Sequence, residues 1–143
     1  MEKRAMRSRP TSFEEWRVDV PSRIRSSPLW DSIGYQKALF LYDLIWFDCE
    51  KLMKDLRGKA IAQQVIRSAG SIGANMEEGY GRGLGRDYAR FLGYALGSAR
   101  ETQGWTFRAR HLLSEDVVAH RLDLTDEIIA LLVTTIKQQK GRN

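Results

Sequence analysis

Apolar residues recur at three- and four-residue spacing through most of residues 29–138, which is the repeat of a helix that buries one face. No stretch alternates apolar and polar residues in the way that a half-buried strand requires. Only three prolines occur in 143 residues, so long uninterrupted helices are possible. The pattern predicts an all-α fold, and its four long helical segments predict an antiparallel up-and-down four-helix bundle.

Capping residues and glycines divide this region into the four predicted helices. The first begins at Ser27-Pro28 and ends near Arg57-Gly58, and the second spans roughly residues 59–79. The four glycines of residues 79–85 predict a turn, because glycine readily adopts positive φ. The third helix is predicted over residues 86–113, and Ser114 is predicted to cap the fourth. The inward row of the fourth helix is predicted to consist of Val118, Leu122, Ile129, Leu132 and Ile136.

The first helix carries apolar residues on more than one side. Its inward seam is predicted to run through Ala38, Ile45 and Leu52, with Cys49 and Leu56 in a neighbouring row. The other sides also hold apolar residues, namely Leu39, Phe40, Leu44, Trp46 and Phe47. A helix that is apolar all round in a small bundle needs a second partner, so this helix predicts a homo-oligomer.

Charge is unevenly distributed along a chain whose formal net charge is +5. Residues 1–28 hold seven Lys and Arg against four acids, and they mix Arg, Ser and Pro with few apolar anchors. This composition predicts a largely disordered basic arm, with one short helical turn after Ser12. The bundle domain is predicted over residues 29–138, followed by a basic C-terminal tail at 139–143.

Several function classes lack their usual motifs. The glycine-rich turn matches neither G-x-G-x-x-G nor a Walker motif, and it follows a helix instead of a strand. His111, Glu115 and His120 do not have metal-ligand spacing, and Cys49 lies on an apolar seam, which favours a buried core residue. We therefore expect no enzymatic activity, metal, cofactor or small-molecule substrate. The single cysteine and the absence of a leader or membrane-spanning run predict a cytoplasmic protein without a membrane partner.

Two stripes of unusual residues stand out when the helices are drawn at about 100° per residue. One arc of the second helix holds Gln64, Arg67, Ser71, Asn75 and Glu78. One arc of the third helix, opposite its apolar row, holds Arg86, Arg90, Gly93, Gly97, Arg100, Gly104 and Arg108. Each glycine inside a helix costs roughly 1 kcal/mol relative to alanine, so something is expected to approach that backbone closely.

A hairpin that turns near Leu84 brings the two stripes together. It pairs positions whose numbers sum to 168, namely Glu78 with Arg90, Asn75 with Gly93, Ser71 with Gly97, Arg67 with Glu101 and Gln64 with Gly104. Short polar side chains then meet glycines, and each charged pair joins opposite signs. We hypothesise a structural polar zipper within a chain or between subunits. The alternative is that both stripes are solvated helix faces.

The same residues carry a family resemblance. The segments QQVIRSAGSIGANMEEGYGR, residues 63–82, and RFLGYALGSARE, residues 90–101, resemble the four-helix-bundle proteins encoded in ribosomal RNA intervening sequences. The likeness spans about residues 35–140, although Gly73, Ile66 and Glu77 depart from the usual pattern. It implies an antiparallel four-helix bundle, often a ring-shaped homopentamer, without established enzymatic activity. It also implies kinship with the accessory variability proteins of diversity-generating retroelements, which bind nucleic acid and a reverse transcriptase.

Two functions are compatible with this sequence. A phosphate-binding track for RNA or DNA is predicted at Arg82, Arg86, Arg90, Arg100 and Arg108. The tails are expected to add nonspecific affinity through Lys3, Arg4, Arg7, Arg9, Lys137, Lys140 and Arg142. This describes a nucleic-acid-binding accessory protein, for structured RNA or as the partner of a reverse transcriptase. The alternative is an oligomerisation scaffold in which basic central helices meet the acidic outer helices of neighbouring subunits.

Overall fold

Six α-helices follow one another along residues 8–142, the part of the chain that the computed structural model describes. They are α1 (Phe13–Val18), α2 (Ser22–Arg25), α3 (Ile33–Leu52), α4 (Leu56–Gly81), α5 (Arg86–Arg108) and α6 (Glu115–Lys140). Two short 3-10 helices, Pro28–Asp31 and Ala109–His111, precede α3 and follow α5. No strand occurs within residues 8–142, so the prediction of an all-α fold is confirmed.

Side-chain caps decide where the long helices begin. Ser32 accepts a hydrogen bond from the Tyr35 N–H at the start of α3, and Ser114 accepts one from the Val117 N–H at the start of α6. Asp55 accepts from the N–H groups of the first turn of α4. The hydrogen bond from the Arg57 guanidinium lowers the pKa of the Asp55 carboxyl to about 2, and the N–H groups contribute to the same shift. The Asp55 cap ends the first long helix earlier than predicted.

Two predicted helix boundaries need correction. Leu56 belongs to the first turn of α4, where it is 84% exposed, so its assignment to the inward seam of the first helix is wrong. The glycine segment is helical through Gly81, and the turn comes later, at Gly83 and Gly85 with φ of 99° and 93°. Positive φ is the conformation that favours glycine at these two positions.

The four long helices run antiparallel to their neighbours. Tyr35 near the start of α3 donates to Glu77 near the end of α4, and Ser68 of α4 contacts Thr102 of α5. Gln103 of α5 donates to the Leu122 carbonyl of α6, and α6 in turn packs against α3. Their inner faces share one core, whose fully buried large apolar residues are Leu41, Ile45, Leu52, Ile72, Met76, Leu92, Ile128 and Leu132.

The inward face of α6 differs from the predicted row. Arg121, Leu124, Thr125 and Ile128 are buried, whereas the predicted Leu122, Ile129 and Ile136 are only half-buried. The helix also continues to Lys140, two residues beyond the predicted end of the bundle domain. Its buried Gln139 accepts a hydrogen bond from the Gly85 N–H, 2.9 Å long, which ties the end of α6 to the turn before α5.

The N-terminal arm is helical in its described part, contrary to the prediction that it is largely disordered. Ser12 caps α1, and the rings of Phe13 and Trp16 lie 5.5 Å from the ring of Phe40 on α3. The Trp16 indole N–H also donates to Asp43, 2.7 Å away. These aromatic contacts bury enough apolar surface to hold a segment whose composition alone favours disorder. The predicted tail residues Lys3, Arg4 and Arg7 lie outside the described residues.

The N-terminal arm packs against apolar surface of α3 that the sequence analysis assigned to contact with another subunit. It covers Phe40, which is 3% exposed, so much of the apolar surface that predicted a homo-oligomer is used within the chain. Trp46 remains 50% exposed. None of the helices in residues 8–142 combines the length and the hydropathy that crossing a bilayer requires.

Candidate nucleic-acid interface

The outward face of α5 carries all four arginines that the sequence places on this helix. Arg86, Arg90, Arg100 and Arg108 are exposed, because the opposite face of the helix faces the core. That buried face consists of Tyr88, Ala89, Leu92, Ala95, Ala99, Thr102 and Thr106. The segregation of charge and apolar residues fixes which side of α5 faces solvent.

Two of these arginines have free guanidinium groups. Within residues 8–142, neither Arg86 nor Arg100 forms a hydrogen bond, an ion pair or a ring contact. Both side chains project from α5 into solvent. An unpaired arginine loses no protein partner when it binds a phosphate, and its planar fork suits bidentate contact with phosphate oxygens.

Arg82 and Arg90 share one aromatic ring. Their guanidinium carbons lie 4.9 and 5.3 Å from the centre of the Phe91 ring. Each also forms a surface ion pair within its own helix, Arg82 with Glu78 at 3.0 Å and Arg90 with Asp87 at 3.5 Å. Exposed pairs of this kind contribute roughly 0–1 kcal/mol, so a phosphate can replace the carboxylate at little cost.

A second cluster joins α4 and α5 near the other end of the face. Arg67 donates to Glu101 across 3.2 Å, so the structure places this predicted pair together. The same carboxylate oxygen accepts from the Trp105 indole N–H at 3.0 Å, and Arg108 lies 4.6 Å from the centre of the Trp105 ring. Arg108 is therefore held against an aromatic surface while its charge stays exposed.

The remaining partners of the predicted polar zipper do not meet. Ser71 and Asn75 donate to carbonyl groups of α4 itself, and Gln64 accepts from Arg67 on the same helix. A Cβ atom added at Gly93 or Gly97 would have no neighbour within 4 Å. At Gly104 the nearest atom is the mobile Nη1 of Arg108, at 3.1 Å. The zipper is therefore wrong within one chain, except for Arg67 and Glu101.

Neighbouring residues of the two helices, in pairs whose numbers sum to 170, join α4 to α5 instead. The buried hydroxyls of Ser68 and Thr102 are 2.9 Å apart. A Cβ atom at Gly79 would lie 2.5 Å from the Cβ atom of Phe91, so this glycine permits the close helix approach. The predicted pairing of positions whose numbers sum to 168 was correct to within about two residues. It did not determine which side of each helix faces the other.

A buried ion pair is the main polar feature that the sequence did not reveal. Arg121 of α6 donates two hydrogen bonds to Asp48 of α3, at 2.7 and 2.9 Å, and Arg9 of the arm approaches the same carboxylate at 3.3 Å. The sequence offered one signal for this pair: Asp48 and Arg121 stand among apolar residues on two helices that pack together. Burial lowers the pKa of the adjacent His120, and the charge of Arg121 lowers it further.

The residues that could contribute to catalysis or metal binding are Cys49 and the histidines. Burial raises the pKa of the Cys49 thiol to about 11, aided by the Asp48 charge, so the thiol is protonated at neutral pH. Within residues 8–142 no three side chains of His, Cys, Asp or Glu are grouped closely enough to hold a metal ion. His111 and Glu115 are both exposed near the junction before α6.

Comparison with known proteins agrees with this architecture. Residues 31–134 match the family model of the 23S rRNA-intervening sequence protein. A crystal structure of a protein with unknown function from the S23 ribosomal protein family of Bacteroides thetaiotaomicron is similar, with a TM-score of 0.68 and 25% sequence identity. The similarity covers 73% of this chain and 99% of that one. No curated protein matches. The family match covers most of the chain, which therefore belongs to the 23S rRNA-intervening sequence protein family.

Proposed function

We propose that this protein is a non-catalytic accessory protein that binds structured RNA through the outward face of α5. One observation carries the proposal: four exposed arginines lie along one arc of α5, and Gly93 and Gly97 between them leave the helix backbone uncovered. The family is named for intervening sequences of 23S rRNA, so structured RNA is the ligand that we test first.

The dimensions of the face suit a nucleic-acid backbone. The distance along α5 from Arg86 to Arg108 is about 33 Å at the rise of an α-helix. Cations at intervals of one to three turns can each contact a phosphate over that length, and contacts of this kind are largely independent of base sequence. Glycine at two intervening positions lets a phosphate come closer to the helix than any side chain would permit.

In this proposal the working unit is a homo-oligomer, pentameric by family resemblance, of antiparallel four-helix bundles. A ring repeats the α5 face around its circumference, and several weak phosphate contacts then act together. A reverse transcriptase is the protein partner that the resemblance to accessory variability proteins suggests. The protein needs no cofactor, metal or small-molecule substrate for such a role.

A pure oligomerisation scaffold is the second candidate, and the charges of α6 favour it. The outward face of α6 is acidic, with exposed Asp116, Asp123 and Glu127. The basic face of α5 is complementary to it in sign. If α5 of one subunit packs on α6 of the next, the open backbone at Gly93 and Gly97 accommodates that helix.

Salt-dependent RNA binding distinguishes the two candidates. We would measure the affinity of the full chain for a structured RNA hairpin by fluorescence anisotropy over a series of salt concentrations. The double variant Arg86→Gln/Arg90→Gln is expected to bind more weakly, with the slope of log K against log salt reduced by roughly 0.7–0.9 for each lost contact. The matched control Lys51→Gln/Lys54→Gln removes two exposed charges from α3 and the turn after it.

Sedimentation of the same variants gives the second readout. Retention of the wild-type assembly together with weakened RNA binding supports the RNA-binding role. Dissociation of the Arg86→Gln/Arg90→Gln variant into monomers, with no RNA binding by the wild type, supports the scaffold instead. Equal loss of affinity in the Lys51→Gln/Lys54→Gln control would show that net charge alone is responsible.

A further inference from the structure

An open groove between α5 and α6 adjoins the proposed RNA-binding face. Its volume is about 730 Å³, which falls within the range of roughly 300–1,000 Å³ that is typical of ligand pockets. The lining is largely apolar, formed by Ala89, Gly93 and Leu96 of α5 and by Ile136 of α6. The missing side chain at Gly93 keeps the groove open, because a Cβ atom there would meet nothing within 4 Å.

Three cations line the same groove, and none of the described side chains that line it is a carboxylate. Arg86 and Arg90 come from the first turns of α5, and Lys140 comes from the last turn of α6. The hydrogen bond from the Gly85 N–H to Gln139 holds these two helix ends together. Arg86 has no partner within residues 8–142, and the pair between Arg90 and Asp87 is exposed and 3.5 Å long.

An apolar floor beside three cations suits a ligand that has a flat apolar surface and an adjacent anion. We infer that this groove binds an unpaired nucleotide of the RNA, with the base against Leu96 and Ile136 and the phosphate at Arg86, Arg90 and Lys140. The inference rests on the proposed function and deepens it, because the α5 arginines alone do not distinguish paired from unpaired RNA.

The chemistry of bases explains why the nucleotide is unpaired. A base inside a duplex is stacked on both faces, so it cannot place a face against protein side chains. Unpaired bases in loops and bulges can leave the stack, and proteins commonly bind them on apolar or aromatic side chains. The groove therefore predicts a preference for RNA with unpaired positions over a continuous duplex.

The test fills the groove while leaving its charges in place. Gly93→Leu puts a side chain into open space and replaces glycine with a strong helix former, so the fold is expected to be retained. The matched control is Ala130→Leu, which adds a leucine side chain at an exposed position of α6 outside both the groove lining and the α5 face. The probes are a short unstructured oligouridylate and the duplex that it forms with oligoadenylate.

The wild type is expected to bind the single strand more tightly than the duplex. Gly93→Leu is expected to lower affinity for the single strand by about 5-fold, the effect of losing roughly 40 Å² of apolar contact between the base and the protein, with duplex affinity much less affected. Ala130→Leu is expected to keep the wild-type preference for the single strand. Circular dichroism and sedimentation of each variant establish that fold and assembly are unchanged.

Three results would overturn the inference. Equal wild-type affinity for both probes, with binding still dependent on Arg86 and Arg90, removes the role of the groove and leaves the proposed function intact. Dissociation of the assembly by Gly93→Leu, with RNA affinity unchanged, shows that the groove holds a neighbouring subunit. Absence of arginine-dependent binding to either probe refutes the proposed function, and the inference falls with it.

Discussion

The guanidinium of Arg121 donates two hydrogen bonds to the carboxylate of Asp48, and the two side chains are only 5% and 3% exposed. They join α3 to α6, which have fewer other contacts with each other than the remaining neighbouring pairs of long helices. A buried ion pair whose hydrogen bonds are satisfied fixes the relative position of two helices, because any slip leaves a charge unpaired in the core.

Removing one partner of this pair is expected to destabilise the protein strongly. Arg121→Met leaves the partly exposed Arg9 as the one cationic partner of the buried Asp48 carboxylate within residues 8–142, and the free energy of unfolding is expected to fall by about 3–5 kcal/mol. Urea denaturation followed by circular dichroism measures the change. The double variant Asp48→Leu/Arg121→Met is expected to be more stable than Arg121→Met alone. A loss below about 1 kcal/mol in the single variant would contradict a structural role.

Two glycines of the central hairpin are expected to respond oppositely to the same substitution. Gly79→Ala places a methyl group 2.5 Å from the Cβ atom of Phe91, so α4 and α5 must separate at a cost of about 1–3 kcal/mol. Gly97→Ala meets open space and is expected to stabilise α5 by about 0.5–1 kcal/mol. Urea denaturation of both variants tests the pair. Destabilisation by Gly97→Ala would indicate that another subunit packs there.

The docked arm is expected to open when its aromatic anchor is removed. Trp16→Ala eliminates the ring contacts with Phe40 and Trp30 and the hydrogen bond to Asp43. Limited trypsin digestion then cleaves the arm faster, while circular dichroism shows that the long helices persist. The control Val18→Ala changes a residue of α1 that is 68% exposed, and its cleavage rate is expected to match the wild type. Equal rates for Trp16→Ala and the wild type would show that the arm is not held there.

Acid is expected to destabilise the protein through His120. Burial and the neighbouring Arg121 lower its pKa below the ordinary value of 6.5, and its Nδ1 lies 2.7 Å from Arg121 Nη1. The unfolded chain therefore binds the proton more tightly, so the contribution of neutral His120 to stability is complete above pH 6.5 and is lost as the pH falls through the folded-state pKa.

Titration of the His120 ring protons by NMR measures this pKa directly. Unfolding experiments over the same pH range are expected to show a weaker decline on the acid side in His120→Gln. The substitution Arg121→Met is expected to raise the pKa of His120, because it removes the neighbouring positive charge. A wild-type pKa at or above 6.5 would remove the basis for this pH dependence.

The candidate interface was predictable to the extent that it depends on one helix at a time. The outward arc of α5, with Arg86, Arg100 and Gly97, follows from a repeat of 3.6 residues and an amphipathic helix. The polar zipper required the rotation of α4 against α5, which sequence spacing does not contain. The close approach at Gly79 and the hydroxyl pair of Ser68 and Thr102 determine that rotation, and they displace the predicted partners to the flanks.

The N-terminal arm is a second feature that depends on contacts between distant parts of the chain. Its capping residue, Ser12, was recognisable in the sequence, but an isolated six-residue helix is too short to be stable in water. Phe13 and Trp16 become ordered because α3 presents aromatic surface to them. Composition describes the segment alone and therefore predicted disorder.

Local rules in the sequence by themselves determined the helical class of the protein, the caps at Ser12 and Ser114, and the solvent-facing arginines of α5. Periodicity, capping and turn propensity act over a few residues, so a sequence displays them directly. The tertiary structure alone decided that Asp48 pairs with Arg121, that the arm covers α3 and that a groove opens beside Gly93. These features depend on contacts between residues far apart in the chain, whose geometry exists only after the helices have packed.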